Sequence, residues 1–311
     1  MRPSTSVFAN DSLLLLTAAI WGLAFVAQRA GMDHVGPFTY NALRFALGAL
    51  TLAPVILIRG AYGSRLQPLP GNRARPWGAI PAGVLTGIVL CFGASFQQAG
   101  IVWTTAGKAG FITGLYVVLV PLAGLLWGQR TGASAWAGAF LCAAGLFLLS
   151  LTDALTIERG DLLVLVSAFL WAAHVQVVGW LSPHVDPFRL SFVQFAVCSL
   201  LCACGALLAE KLDLDGMRAA AWPILYGGVM SAGIAFTLQV VAQRKAPPAH
   251  AAILLSLESV FAAIGGSMVL GERLGARGVA GCAIMFTGMV VSQVPLIMSS
   301  FRHGGQSASS L

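Results

Sequence analysis

AAILLSLESVFAAIGGSMVL, residues 251–270, runs for twenty positions with one charged side chain, Glu258, before GERLG closes it at 271–275. About 20 predominantly apolar residues suffice to carry a helix across a bilayer. Glu258 falls near the middle of that run. An isolated ionised carboxylate at such a depth costs several kcal/mol or more, so it must be protonated, paired or open to a watery cavity. The stretch therefore predicts a membrane span with a functional acid inside it. The alternative is a neutral acid bonded to a neighbouring helix and serving packing.

The rest of the chain agrees. Only 9% of its 311 residues are charged, and the mean hydropathy is +0.83. A soluble domain carries about 25% charged residues, so there is too little polar surface here for one. Similar apolar runs predict ten spans, near 12–30, 38–58, 77–97, 102–127, 133–151, 161–180, 188–209, 221–242, 249–270 and 276–297. Polar or Gly/Pro segments such as RGAYGSRLQPLPGNRARP and QRKAPPAH separate them, and the end of the chain, 298–311 with FRHGGQSASSL at 301–311, reads as a flexible tail. The net charge of +7 is scattered over short connections and makes no nucleic-acid face. With the N-terminus inside, ten Lys and Arg fall on the cytoplasmic side and seven outside. The bias places both termini in the cytoplasm.

The chain also repeats itself. IWGLAFVAQRAGMDHVGPF (20–38) aligns with LWAAHVQVVGWLSPHVDPF (170–188) at an offset of 150, matching Trp21 to Trp171, His34 to His184 and two Pro-Phe pairs. Residues 106–130 align less closely with the run around Glu258 at an offset of 143. Duplication explains two ordered offsets better than chance. The predicted fold is an all-α polytopic membrane protein of ten transmembrane helices in two inverted five-helix repeats, 12–151 and 161–297. Five is odd, so the second half enters the membrane upside down. Inverted repeats are an architecture of secondary transporters, whose site lies near mid-membrane where the repeats meet.

Three segments carry a family resemblance: AAIWGLAFVAQRAG, TYNALRFALGAL and LLSLESVFAAIGGSMVLGERLGARGVAGCAIMFTGMVV. With them the chain resembles the drug/metabolite transporter superfamily, in its EamA-type ten-helix branch, over about 12–297. The first half departs from the pattern, with Gln129 where the repeat has Glu272. The resemblance implies a secondary carrier of small organic metabolites, similar to amino-acid and metabolite exporters. It also implies a bacterial inner (plasma) membrane.

Candidate site residues follow from chemistry at depth. Glu258 is read as a proton carrier or a partner for a substrate ammonium. Arg44 is read as snorkelling to the interface, pairing with Glu258 or holding a substrate carboxylate. Lys108 marks either a membrane edge or the substrate. Gln97, Gln98 and Gln239 offer hydrogen bonds without the cost of a charge, and His174 adds a titratable ring. Trp21, Trp171, Trp103 and Tyr116 are candidates for an apolar wall. Pro121 is expected to bend the fourth span. The six cysteines lie in apolar runs without metal-ligand spacing and read as small buried hydrophobes. There is no phosphate loop, no HExxH and no nucleophile–base set. The sequence predicts no cofactor, no metal and no catalyst. It predicts a proton-coupled or gradient-driven carrier for a small polar or amphipathic solute such as an amino acid, and the resemblance implies outward movement. Export of drugs or other metabolites, solute sensing without transport, and the oligomeric state stay open.

Overall fold

The computed structural model describes residues 3–61, 78–150, 158–269 and 275–308. All regular structure among them is helical. The first half holds α1 (Pro3–Gly31), α2 (Pro37–Ala61), α3 (Ala79–Ile101), α4 (Ala106–Gly114), α5 (Tyr116–Leu126) and α6 (Ala133–Ser150). The second half holds α7 (Arg159–Leu181), α8 (Pro187–Ala209), the short α9 (Leu214–Ala219), α10 (Ala221–Leu225), a π-helix (Tyr226–Phe236), α11 (Thr237–Gln243), α12 (Pro248–Leu255), α13 (Glu258–Val269) and α14 (Ala276–Ala308).

Eight helical segments among the described residues are long and apolar enough to cross a bilayer, with α4–α5, α10–α11 and α12–α13 each continuing through a break or change of winding. Two shorter apolar helices, Ala133–Leu148 and Ala276–Ser292, supply the fifth and tenth elements. In lipid every backbone N–H and C=O must find its partner inside the protein, and a helix achieves this locally. The bundle is correspondingly apolar outside, and its largely apolar interior also buries a set of polar residues. Leu50, Phe92, Phe140 and Leu208 face outward, while Gln98, Gln194, Gln239 and His174 are fully buried.

The helix starts show how the sequence builds the same feature twice. Pro187 opens α8, and Asp186 accepts hydrogen bonds from the backbone N–H groups of Phe188 and Arg189 at 3.0 and 3.1 Å. That is a side-chain cap with proline at the first helical position. Pro37 opens α2, but Gly36 stands where the repeat places Asp186. Here Glu210, at the end of α8, accepts from the N–H groups of Phe38 and Thr39 at 2.7 and 2.8 Å. A Cβ at Gly36 would lie 2.3 Å from the Glu210 Cδ. The glycine is what lets the foreign carboxylate in.

Glycines also join α6 to α14. A Cβ on Gly138 would meet the Gly288 carbonyl at 2.7 Å, and one on Gly145 the Gly281 carbonyl at 2.5 Å. The 143-residue offset carries Gly138 onto Gly281 and Gly145 onto Gly288. Each glycine therefore touches the counterpart of the other, as a two-fold axis between repeats demands. Close approach of backbones at small residues is a common way to pack helices in lipid.

The fourth span is interrupted at Leu115, not at Pro121, which sits inside α5. The Leu115 N–H bonds the Ile112 carbonyl and the Val118 N–H the Leu115 carbonyl, a tight i→i+3 turn. The ninth span breaks alike at Ser256 and Leu257, directly before Glu258. The repeat offset places Ser256 and Leu257 on Thr113 and Gly114, next to Leu115, so the two interruptions fall at closely corresponding places. They also touch: the Ser259 hydroxyl donates to the Gly110 carbonyl at 2.7 Å.

Candidate functional site: a central cavity between the repeats

The interrupted helices, α1, α2, α3, α7 and the π-helix surround a cavity of about 30 Å³. That volume holds roughly two waters. Anything larger requires the lining side chains to move.

Glu258 and Arg44 both line this cavity. They are 3% and 2% exposed. Glu258 takes its place as the first residue of α13, where a helix N-terminus favours negative charge. Arg44 sits on α2 with its guanidinium carbon 4.7 Å from the Phe45 ring centre and 5.5 Å from that of Tyr40. Cation–π contact stabilises a buried cation by about 2 kcal/mol when it is desolvated, far less than its desolvation costs. Among the described residues neither charge belongs to an ion pair. The Arg44 Nε and the Glu258 Oε1 are buried without a hydrogen-bond partner. The Tyr116 hydroxyl lies beside the Glu258 carboxyl, close enough to interact with it. Oε1 of Gln28 and of Gln239 are also buried without a hydrogen-bond partner. Polar atoms from several helices are thus presented around one small space.

The remaining wall is aromatic and already organised. Phe236 stands at its centre, 4.5 Å from the Trp21 ring and 5.8 Å from the Trp171 ring. The Trp21 indole N–H donates to the Ser231 carbonyl at 3.3 Å. The Trp171 indole N–H donates to Gln97 Oε1 at 3.1 Å, and Gln97 Nε2 donates on to the Thr113 hydroxyl at 3.4 Å. These bonds anchor both indoles in the wall. Gln239 Nε2 donates to Gln243 Oε1 at 2.9 Å, and Gln243 in turn donates to the Val175 carbonyl. That chain ties α11 to α7.

Seven of the sequence candidates therefore meet here: Glu258, Arg44, Gln97, Gln239, Trp21, Trp171 and Tyr116. Four do not. Gln98 is buried beside the wall and donates to the Gln28 carbonyl at 3.2 Å. His174 lies behind Trp171 and Phe236, bonded to Gln194 at 3.2 Å. Trp103 is 63% exposed past the end of α3. Lys108 stands near the start of α4, with Nζ 3.6 Å from Asp161 and 3.8 Å from Glu158. The Gly271-Glu272-Arg273 motif lies outside the described residues. Sequence reasoning missed Gln28, Thr113, Val175, Ser231 and Phe236. One signal was present: Trp21, Phe25 and Gln28 recur at i, i+4 and i+7, a single helix face.

A bundle apolar on its outside, with paired helix interruptions and a central cavity lined by Glu258, Arg44 and aromatic rings, fits a polytopic membrane transporter. The profile of the EamA-like transporter family matches residues 9–151 and again 158–293. The chain belongs to that family. It is 29% identical to an uncharacterized transporter of Archaeoglobus fulgidus over 85% of this chain and 79% of that protein. It is 24% identical to the uncharacterized inner membrane transporter YedA of Escherichia coli over 82% and 81% of the two chains. A crystal structure with 18% identity shares the fold, with a TM-score of 0.74 over 92% of this chain and 97% of the other. Family and fold are those of a secondary carrier for small organic solutes, not of an enzyme.

Proposed function

We propose that the protein exports a zwitterionic solute, with amino acids as the preferred class, and that Glu258 couples export to proton movement. One observation carries this reading. A buried cation from the first repeat and a buried anion from the second line one cavity without an ion-pair partner among the described residues. A molecule with a carboxylate and an ammonium satisfies both, and Trp21, Trp171 and Phe236 offer its side chain an apolar wall. When the solute leaves, Glu258 takes a proton and avoids the cost of a bare buried charge. Rocking of one repeat against the other then exposes the cavity to either side in turn. Arginine and lysine distribution supports cytoplasmic termini, and the bacterial inner membrane is the proposed location.

The test is counterflow in sealed liposomes. A labelled panel of zwitterionic amino acids is compared with their decarboxylated amines and deaminated acids. Saturable exchange confined to zwitterions is the expected result. Exchange of the amines or acids alone, or none with folded protein, overturns the reading.

A further inference from the structure

Outside the cavity, three cysteines converge. Cys91 lies on α3, in the first repeat. Cys198 and Cys202 lie one turn apart on α8, in the second. Their three sulfurs all fall within 4.8 Å of one another, with Cys91 and Cys202 at 3.6 Å. The Ser95 hydroxyl oxygen completes the group, 3.7 Å from the Cys202 sulfur. Cys198 and Cys202 are fully buried, and Cys91 is 8% exposed. No disulfide joins them.

We infer that Cys91, Cys198 and Cys202 form a binding site for a thiophilic d10 metal cation, such as Cd(II), Zn(II) or Cu(I), that bridges the two repeats. The spacing fits. A metal–sulfur bond of about 2.3 Å places three trigonal sulfurs roughly 4.0 Å apart, and tetrahedral ones roughly 3.8 Å. The observed sulfurs need only small shifts to reach either arrangement. Thiolate donors select soft metals over Mg²⁺ or Ca²⁺. Ser95 supplies a fourth, weaker donor for a tetrahedral ion.

Charge fits as well. Each thiol that becomes a ligand passes its proton to solvent. Three thiolates around a divalent ion carry −1, and so do two thiolates around a monovalent one. In an apolar setting made by Phe45, Leu90, Ala94 and Phe195, that charge needs a neighbour. Arg44 is the neighbour, close enough to Cys198 and Cys202 to interact with their charge. Three sulfurs also pack as small apolar groups, but packing alone calls for neither their convergence nor a cation beside them.

The experiment uses the purified full-length chain in detergent, kept reduced with a phosphine. Cd²⁺ is titrated while thiolate-to-cadmium charge-transfer absorption is followed, and bound metal is counted after desalting. The expected result is one tightly held Cd²⁺ per chain, with three protons released. A Cys142→Ala/Cys204→Ala/Cys282→Ala variant keeps this behaviour, because it retains the three converging residues. Cys91→Ala and Cys202→Ala each weaken binding about tenfold or more, with folding checked by size exclusion. Absence of the band in the reduced wild-type protein overturns the site. So does its loss in the triple variant if that protein remains folded. Should a single variant fail to fold, X-ray absorption at the cadmium edge of the loaded wild type decides: the bound ion must show three sulfur neighbours, and fewer overturn the site.

Discussion

The two interrupted spans are the same device with different contents. Both break at closely corresponding positions, both turn through i→i+3 bonds, and the helices beside them meet where Ser259 donates to the Gly110 carbonyl. Yet where the second span places Glu258 directly after its break, the repeat puts Leu115 in the first. The cavity's cation comes in turn from the first repeat, on α2. Duplication supplied the shape twice, and the two copies then took opposite charges. A site between repeats need not be symmetric to be built symmetrically.

The sharpest way to break this comparison is to exchange the chemistry at the two interruptions. Glu258→Gln is expected to reduce counterflow at least tenfold and to abolish its response to a pH gradient. Leu115→Ala, measured in the same liposomes, should retain most of its exchange. Equal losses would mean that the breaks matter only as shape. Next in size is Gly22→Ala. A Cβ there would meet the Phe261 Cβ at 2.4 Å and the Glu258 carbonyl at 2.5 Å. Overpacking of this kind costs about 1–3 kcal/mol, read as a lower melting temperature in detergent. Gly132→Ala, where a Cβ meets nothing within 4 Å, is the control and should leave melting unchanged. The smallest effect belongs to Ser259→Ala, which removes the bond joining the two breaks. Hydrogen bonds between membrane helices contribute roughly 0.6 kcal/mol on average, so a small fall in melting with near-normal exchange is expected. A large transport defect from Ser259→Ala would show that the contact itself moves in the cycle.

The same asymmetry explains what could be read in advance. Apolar runs and their polar interruptions located the spans, since in lipid those runs must become helices. Glu258, Arg44, Gln97 and Gln239 stood out because polar groups are costly at depth. What stayed hidden was which way each helix faces. In helices that are apolar all round, His174 behind the wall and Trp171 within it look alike, and Ser231 is one more small residue. Pro121 pointed to an irregular fourth span but gave no sign of the interruption at Leu115, six residues earlier. The interruption at Leu115 lies where α4 meets α13, a contact made by the other repeat and absent from the local sequence. Cys91 gave no hint either, because its partners sit on α8, more than a hundred residues away.

The π-helix at Tyr226–Phe236 has a consequence in genetic terms. Winding with i→i+5 bonds stores surplus chain relative to an α-helix of the same height. Loss of a single codon within it would let the segment rewind, turning everything after it by about 100°. Gln239 would leave the cavity, and Gln243 would no longer reach the Val175 carbonyl. Removal of one residue would thus repair the regular winding of the eighth span while dismantling the wall it carries. A collection of one-codon deletions should find this stretch among the least forgiving of transport, even where the shortened protein still inserts and folds.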